Sequence, residues 1–165
     1  MTPVVRDAAE QQRRKRVRLK GFDYRDTSRA YFITLCAMRG SRPFEDEALA
    51  RQIIEVLEHL RADEMQRLFC YCLMPDHLHL VLSPMGEGRS FSDVLRDFKT
   101  YTNRKAWELG WPGRLWQRSY YDHIGRRRED LVKMCKYILA NPVRAGLAED
   151  PEGWPYSGEP DPLPW

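Results

Sequence analysis

The sequence predicts an α+β fold, a ferredoxin-like (RRM-like) antiparallel sheet with helices packed on one face. Three observations predict it. Short β-branched and aromatic runs alternate with longer amphipathic periods in the order β α β β α β α. Two of the runs, residues 67–74 and 77–83, are separated only by Pro75-Asp76, a tight connection between neighbouring strands. A chain of 165 residues, 42% hydrophobic and 31% charged, suits one domain around a single core.

Taken in order, Ala30–Met38 (AYFITLCAM) is β-branched and aromatic and reads as the first strand. From Pro43 to Ala62 the apolar residues Leu49, Ile53, Val56, Leu57 and Leu60 recur at helical spacing. RLFCYCLM and HLHLVLS are the paired strands. After the Gly86–Gly88 loop, Ser90 is placed to cap a helix that carries apolar Phe91, Val94, Leu95, Phe98 and Tyr101 and runs to about Leu109. Gly110-Trp111-Pro112-Gly113 breaks it. RLWQRSYYDHI, 114–124, is an aromatic strand or extended segment. A last helix over 128–140 ends near Asn141-Pro142, because the residue before a proline is biased away from helix. From Glu149 five prolines, at 151, 155, 160, 162 and 164, predict a tail that wraps the surface or hangs loose. The chain thus divides into a basic N-terminal arm over 1–28, a domain over 29–148 and a proline-rich tail over 149–165.

No run approaches the ~20 apolar residues of a membrane span, and MTPVVRDAAEQQRRKR has no secretory apolar core. Cys36, Cys70, Cys72 and Cys135 lie in apolar stretches without a CxxC pair, which fits reduced thiols and a cytoplasmic location. Net charge is only +3, but it is uneven. Residues 13–20 read RRKRVRLK and 126–128 read RRR, while acids gather in 45–64 and 149–161. That split suits a polyanion such as nucleic acid; the plainer reading is a solvated surface with a basic tail.

His77-Leu78-His79 sits inside an apolar strand. Residues i and i+2 project from one face, so both imidazoles point one way while Leu78 and Leu80 point to the core. Two imidazoles fixed by a strand supply part of an open metal site. A structural histidine pair is the plainer reading, and a Cys₂His₂ site with Cys70 and Cys72 is a further one, although its one-residue gaps are unlike structural zinc spacings.

In the last helix Lys133, Tyr137 and Asn141 stand at i, i+4 and i+8, outside the apolar face of Leu131, Val132, Met134, Cys135, Ile138 and Leu139. One ridge therefore carries an ammonium, a phenol and an amide. An ordinary surface ridge is the plain reading. The chemical one has a tyrosine attacking a phosphodiester, an asparagine oxygen on a metal and a lysine beside phosphate.

MPDHLHLV, WQRSYYDH and YILANPVRAGL, in this order, resemble the REP-associated tyrosine transposases, relatives of the single-tyrosine insertion-sequence transposases. The similarity runs from about Tyr31 to Tyr156. It implies the HUH (histidine–hydrophobic–histidine) endonuclease form of the fold. It implies an enzyme that nicks and rejoins single-stranded DNA near hairpins, in REP-like elements, through a 5′-phosphotyrosine. By position, Tyr137 would be the nucleophile and His77, His79 and Asn141 the ligands of a divalent ion, Mg²⁺ or Mn²⁺. His123, in YYDH, also fits the pattern, with its role open. Lys133, Arg96, Lys99, Lys105, Arg126, Arg127 and Arg128 are candidate phosphate contacts, and Tyr120, Tyr121 or Trp116 candidate stacking platforms. The expected partner is single-stranded or hairpin DNA, with no membrane; a monomer and a homodimer both fit. A catalytically silent DNA binder, an RNA-binding module and a metal-dependent phosphodiesterase without a covalent intermediate are the competing readings.

Overall fold

A computed structural model describes residues 28–63, 66–85, 89–125 and 127–163. The basic arm up to residue 27, the Gly86–Gly88 loop and Arg126 lie outside the described residues.

The strands are β1 (Ala30–Cys36), β2 (Gln66–Met74), β3 (His77–Pro84), β4 (Tyr121–Gly125) and β5 (Ser157–Gly158). The helices are α1 (Glu47–Asp63), α2 (Phe91–Glu108), α3 (Arg128–Leu139) and the single turn α4 (Asn141–Arg144). The sheet order is β4-β1-β3-β2-β5, with every pairing antiparallel. Its first four strands are in the expected ferredoxin-like order. Ser90 caps α2 as its position suggested, its Oγ accepting from Asp93 N at 3.3 Å.

Strand alternation splits the core in two. Leu78, Leu80 and Leu82 of β3 join Tyr31, Ile33 and Leu35 of β1 against Leu49, Ile53 and Leu57 of α1 and Phe91, Leu95 and Phe98 of α2. On the other face Val81, Phe32, Cys70 and Cys72 meet Leu131, Cys135 and Ile138 of α3. So α1 and α2 share one face as expected, but the last helix does not join them. Its apolar stripe has a second sheet face to cover, and it leaves only part of that face open. A bulge between Leu68 and Cys70 gives β2 one extra residue, Phe69, which joins the α3-side core.

Three further elements differ from the sequence reading. The expected strand over 114–124 is regular only from Tyr121. Before that, α2 holds the chain: Asn103 Oδ1 accepts from Leu115 N at 2.7 Å, and Trp116 Nε1 donates to Thr102 Oγ1 at 2.8 Å. A single bridge, Ala37 to Trp116, replaces the ladder there. The chain stays helical past the expected stop: α3 ends at Leu139 and α4 starts anew at Asn141, with Pro142 in its first turn, where a missing N–H costs nothing. The proline-rich segment, read as wrapping or loose, wraps. Residues 157–158 pair with Tyr71 and Cys72 on the free edge of β2. Asp161 accepts from Arg61 Nε at 2.8 Å, from Arg61 Nη2 at 2.6 Å and from Leu68 N at 2.8 Å.

Candidate active site

The β2–β3 turn delivers Asp76 next to His77, and the antiparallel register sets Thr34 opposite His79. Each imidazole is anchored through Nδ1. His77 Nδ1 lies 2.6 Å from Asp76 Oδ1; an ionised carboxylate only accepts, so the ring N–H donates. That hydrogen bond holds the Asp76 carboxyl below the usual carboxylate range. His79 Nδ1 lies 2.9 Å from Thr34 Oγ1. Burial pushes the pKa of His79 well below the usual imidazole value, and the nearby charges of His77 and Arg144 add to the effect. A neutral imidazole is the form that can ligate a metal. The rings sit edge to face with centroids 4.6 Å apart, and Phe32 stacks on His79 at 5.5 Å.

The ridge of α3 stands beside this face. Tyr137 is 38% exposed. The Arg144 guanidinium lies over its ring, with Cζ 4.1 Å from the centroid, and donates through Nη2 to Tyr137 O at 3.0 Å and to Asn141 Oδ1 at 2.8 Å. Arg144 is also close enough for its charge to act on His79 and Cys72. Tyr137 and Asn141 are therefore gathered by one guanidinium, whose charge also helps to keep His79 neutral. Asn141 Nδ2 is buried without a hydrogen-bond partner.

These residues fit a divalent ion. With Nδ1 engaged, each histidine has Nε2 to offer, and carboxylate or hydroxyl anchors behind the ring are the usual support of ligating histidines. The Asn141 carbonyl keeps a second lone pair beyond the one Arg144 uses. The Cys₂His₂ alternative has no such support: burial pushes the Cys72 thiol up to about 12, Cys70 Sγ turns to Cys135 O at 3.9 Å, and the described residues form no metal-suited group of three or more His, Cys, Asp or Glu.

The other candidates scatter. His123 pairs with Phe32 and so shares the histidine face, exposed at the edge strand. Lys133, Arg127 and Arg128 are exposed on α3 or at its start. On α2, which packs the opposite face, Arg96 pairs with Asp93 at 3.1 Å and with Asp97 at 3.4 Å, and Lys105 pairs with Glu108 at 3.0 Å. Lys99 Nζ donates to Gln117 O at 2.9 Å. Tyr121 pairs with Thr34 on the histidine face, while Trp116 is buried in the α2 core and Tyr120 packs at its edge. Sequence reasoning missed Thr34, Asp76 and Arg144. Asp76 adjoins His77 and Arg144 follows Asn141 by one helical turn, so both had a local signal; Thr34 is 45 residues from its partner and had none.

The sequence pattern described as "Transposase IS200 like" matches residues 27–141. The chain belongs to the IS200-like transposase family. That family match takes in His77, His79 and Tyr137 and stops at Asn141, so Arg144 lies beyond it. A Haemophilus influenzae protein provisionally named REP-associated tyrosine transposase is 30% identical over 100 residues, covering 52% of this chain and 54% of that protein. An Escherichia coli REP-associated tyrosine transposase is 25% identical over 112 residues, covering 67% of this chain and 62% of that protein. The match to these two thus spans little more than half of their lengths. A solved REP-associated tyrosine transposase bound to a REP hairpin superposes with TM-score 0.64 at 22% identity, over 79% of this chain and 76% of that one, a likeness of fold. Among the described residues, no helix is long and apolar enough to cross a membrane.

Proposed function

We propose that the protein nicks and rejoins single-stranded DNA beside hairpins, in REP-like elements, through a covalent link to Tyr137. The observation that carries this reading is the Arg144 guanidinium of α4, which engages both Tyr137 of α3 and Asn141 on the sheet face that carries the anchored histidine pair. Tyr137 Oη attacks the phosphorus. The bond from phosphorus to the 3′ oxygen breaks, a 5′-phosphotyrosine forms, and the phenol proton is balanced by the proton gained on the leaving 3′-hydroxyl. One phosphodiester replaces another, so a 3′-hydroxyl can reverse the step and rejoin a strand without an external energy source.

Each of the chain's own groups has a defined task. Arg144 fixes the Tyr137 ring and the Asn141 amide relative to each other, removing motion that would blunt attack. Asp76 and Thr34 hold the two imidazoles in one orientation and tautomer. A divalent ion, Mg²⁺ or Mn²⁺, held by His77, His79 and Asn141, would supply charge neutralisation at the phosphate.

The test incubates the protein with labelled hairpin oligonucleotides carrying single-stranded flanks, with Mn²⁺, Mg²⁺ or EDTA, and resolves products on a denaturing gel. A metal-dependent protein–DNA adduct mapped to Tyr137 is expected. Cleavage with no adduct would make the protein a hydrolase and end the covalent reading.

A further inference from the structure

On the opposite face of the sheet from the histidines, α2 and the segment 113–120 enclose a groove of ≈ 690 Å³. Its lining includes Arg96, Lys99, Arg104, Arg114 and Arg118 and no carboxylate. Two of these cations are already committed: Arg96 to Asp93 and Asp97, Lys99 to the carbonyls of Gln117 and Arg118. Arg104, Arg114 and Arg118 are exposed and have no ion pair among the described residues. Three guanidiniums on two walls, with no acid between them, make a site for a polyanion.

The groove also carries an aromatic surface. Trp107 is 57% exposed, yet its ring is not free to turn away, because Nε1 donates to Gly113 O at 2.6 Å. Gly113 has φ of 75°, a backbone that favours glycine and brings its carbonyl to that contact. Tyr120 lines the same groove, its hydroxyl 2.9 Å from Ser92 Oγ. A rigid exposed indole among unpaired guanidiniums is the pairing that unpaired nucleotides need: a flat face for the base and cations for the backbone. Duplex DNA keeps its base faces stacked and could use only the charges.

We propose that this groove binds an unpaired DNA strand, with a base on Trp107 and phosphates on Arg104, Arg114 and Arg118. Taken together with the function proposed above, the strand is the single-stranded flank of the same substrate. The wall leads to the right place: Gln117 N bonds Cys36 O at 2.9 Å, Cys36 pairs with His77, and the segment continues into β4, whose Tyr121 and His123 face the histidine side.

Binding is measured without chemistry, by fluorescence anisotropy of a labelled unpaired oligonucleotide on Tyr137→Phe protein in EDTA. Arg114→Glu with Arg118→Glu is expected to weaken binding about tenfold or more. It should also flatten the log–log salt slope by about 1.4, from two phosphate contacts at ~0.7 each. Arg104→Glu, on the helix wall, provides an independent charge reversal should the loop variant fold poorly. Trp107→Ala is expected to weaken binding to the intact strand but not to an abasic strand of the same length. Unchanged affinity in folded variants, no measurable binding by the parent, an equal Trp107→Ala effect on the abasic strand, or a preference for RNA of the same sequence would each overturn the proposal. Loss of adduct formation with the groove effects intact would sink the tyrosine chemistry alone; adduct formation with unchanged groove affinity would sink the groove alone.

Discussion

Along β3 successive side chains serve different ends. Leu78, Leu80 and Leu82 enter a core closed by two long helices, all apolar at the strand surface. His77 and His79 enter the face that α3 covers, where Thr34, Cys70 and Cys72 lie alongside them. The first face is built from interchangeable greasy volume, sealed by helices that arrive from both crossovers. The second exposes polar atoms that must each find a partner, and it has one shorter helix over it. A sheet can hold both because the backbone pleat separates them without further machinery. The apolar face packs the strand against the helices while the other presents two imidazoles.

That contrast can be broken from either side. The largest effect expected is at Tyr137: changing it to Phe should abolish the covalent DNA adduct, with thermal stability nearly unchanged because the hydroxyl is on an exposed ridge. A gel shift and a melting curve on the same sample check both halves. On the apolar face, Leu80→Ala removes a side chain with 0% exposure and should cost about 2–5 kcal/mol in denaturant unfolding. A loss well under 1 kcal/mol would mean that this face is less tightly packed than described.

Thr34→Val keeps the shape of the side chain and removes the hydroxyl that holds His79. It should lower metal-dependent activity by about 10–100-fold, with weaker Mn²⁺ affinity by calorimetry. Arg144→Ala should lower adduct formation too, but with Mn²⁺ affinity less affected than by His77→Ala; equal losses would reduce Arg144 to a metal-site support. The smallest effect expected is at the strap. Asp161→Ala should lower the thermal midpoint by about 2–4 °C. The Asp161 carboxyl is held below its ordinary range first by Arg61, then by the Leu68 N–H. Its contribution is therefore present above the ordinary carboxylate pKa and is lost as pH falls through the lower folded value. Wild type and Asp161→Ala should converge in stability on acidification, which a pH series of melts will show.

Local patterns carried much of this protein. The alternation in HLHLVL placed both histidines on one side, the 3–4 spacing of Leu49, Ile53 and Leu57 marked α1, and Ser90 announced the start of α2, because each depends on neighbours within a few residues. The i, i+4 step likewise put Tyr137 on a ridge outside the apolar stripe. Tertiary structure alone decided the rest. It put α3 across the sheet from α1 and α2, laid residues 157–158 on the edge of β2, and brought Thr34 to His79 through strand register. It also closed Arg114, Arg118 and Trp107 into one groove. Those placements depend on which surfaces remain to be covered once the whole chain has packed, and for the strap on β2 and the Thr34–His79 pair no short window of sequence contains both partners.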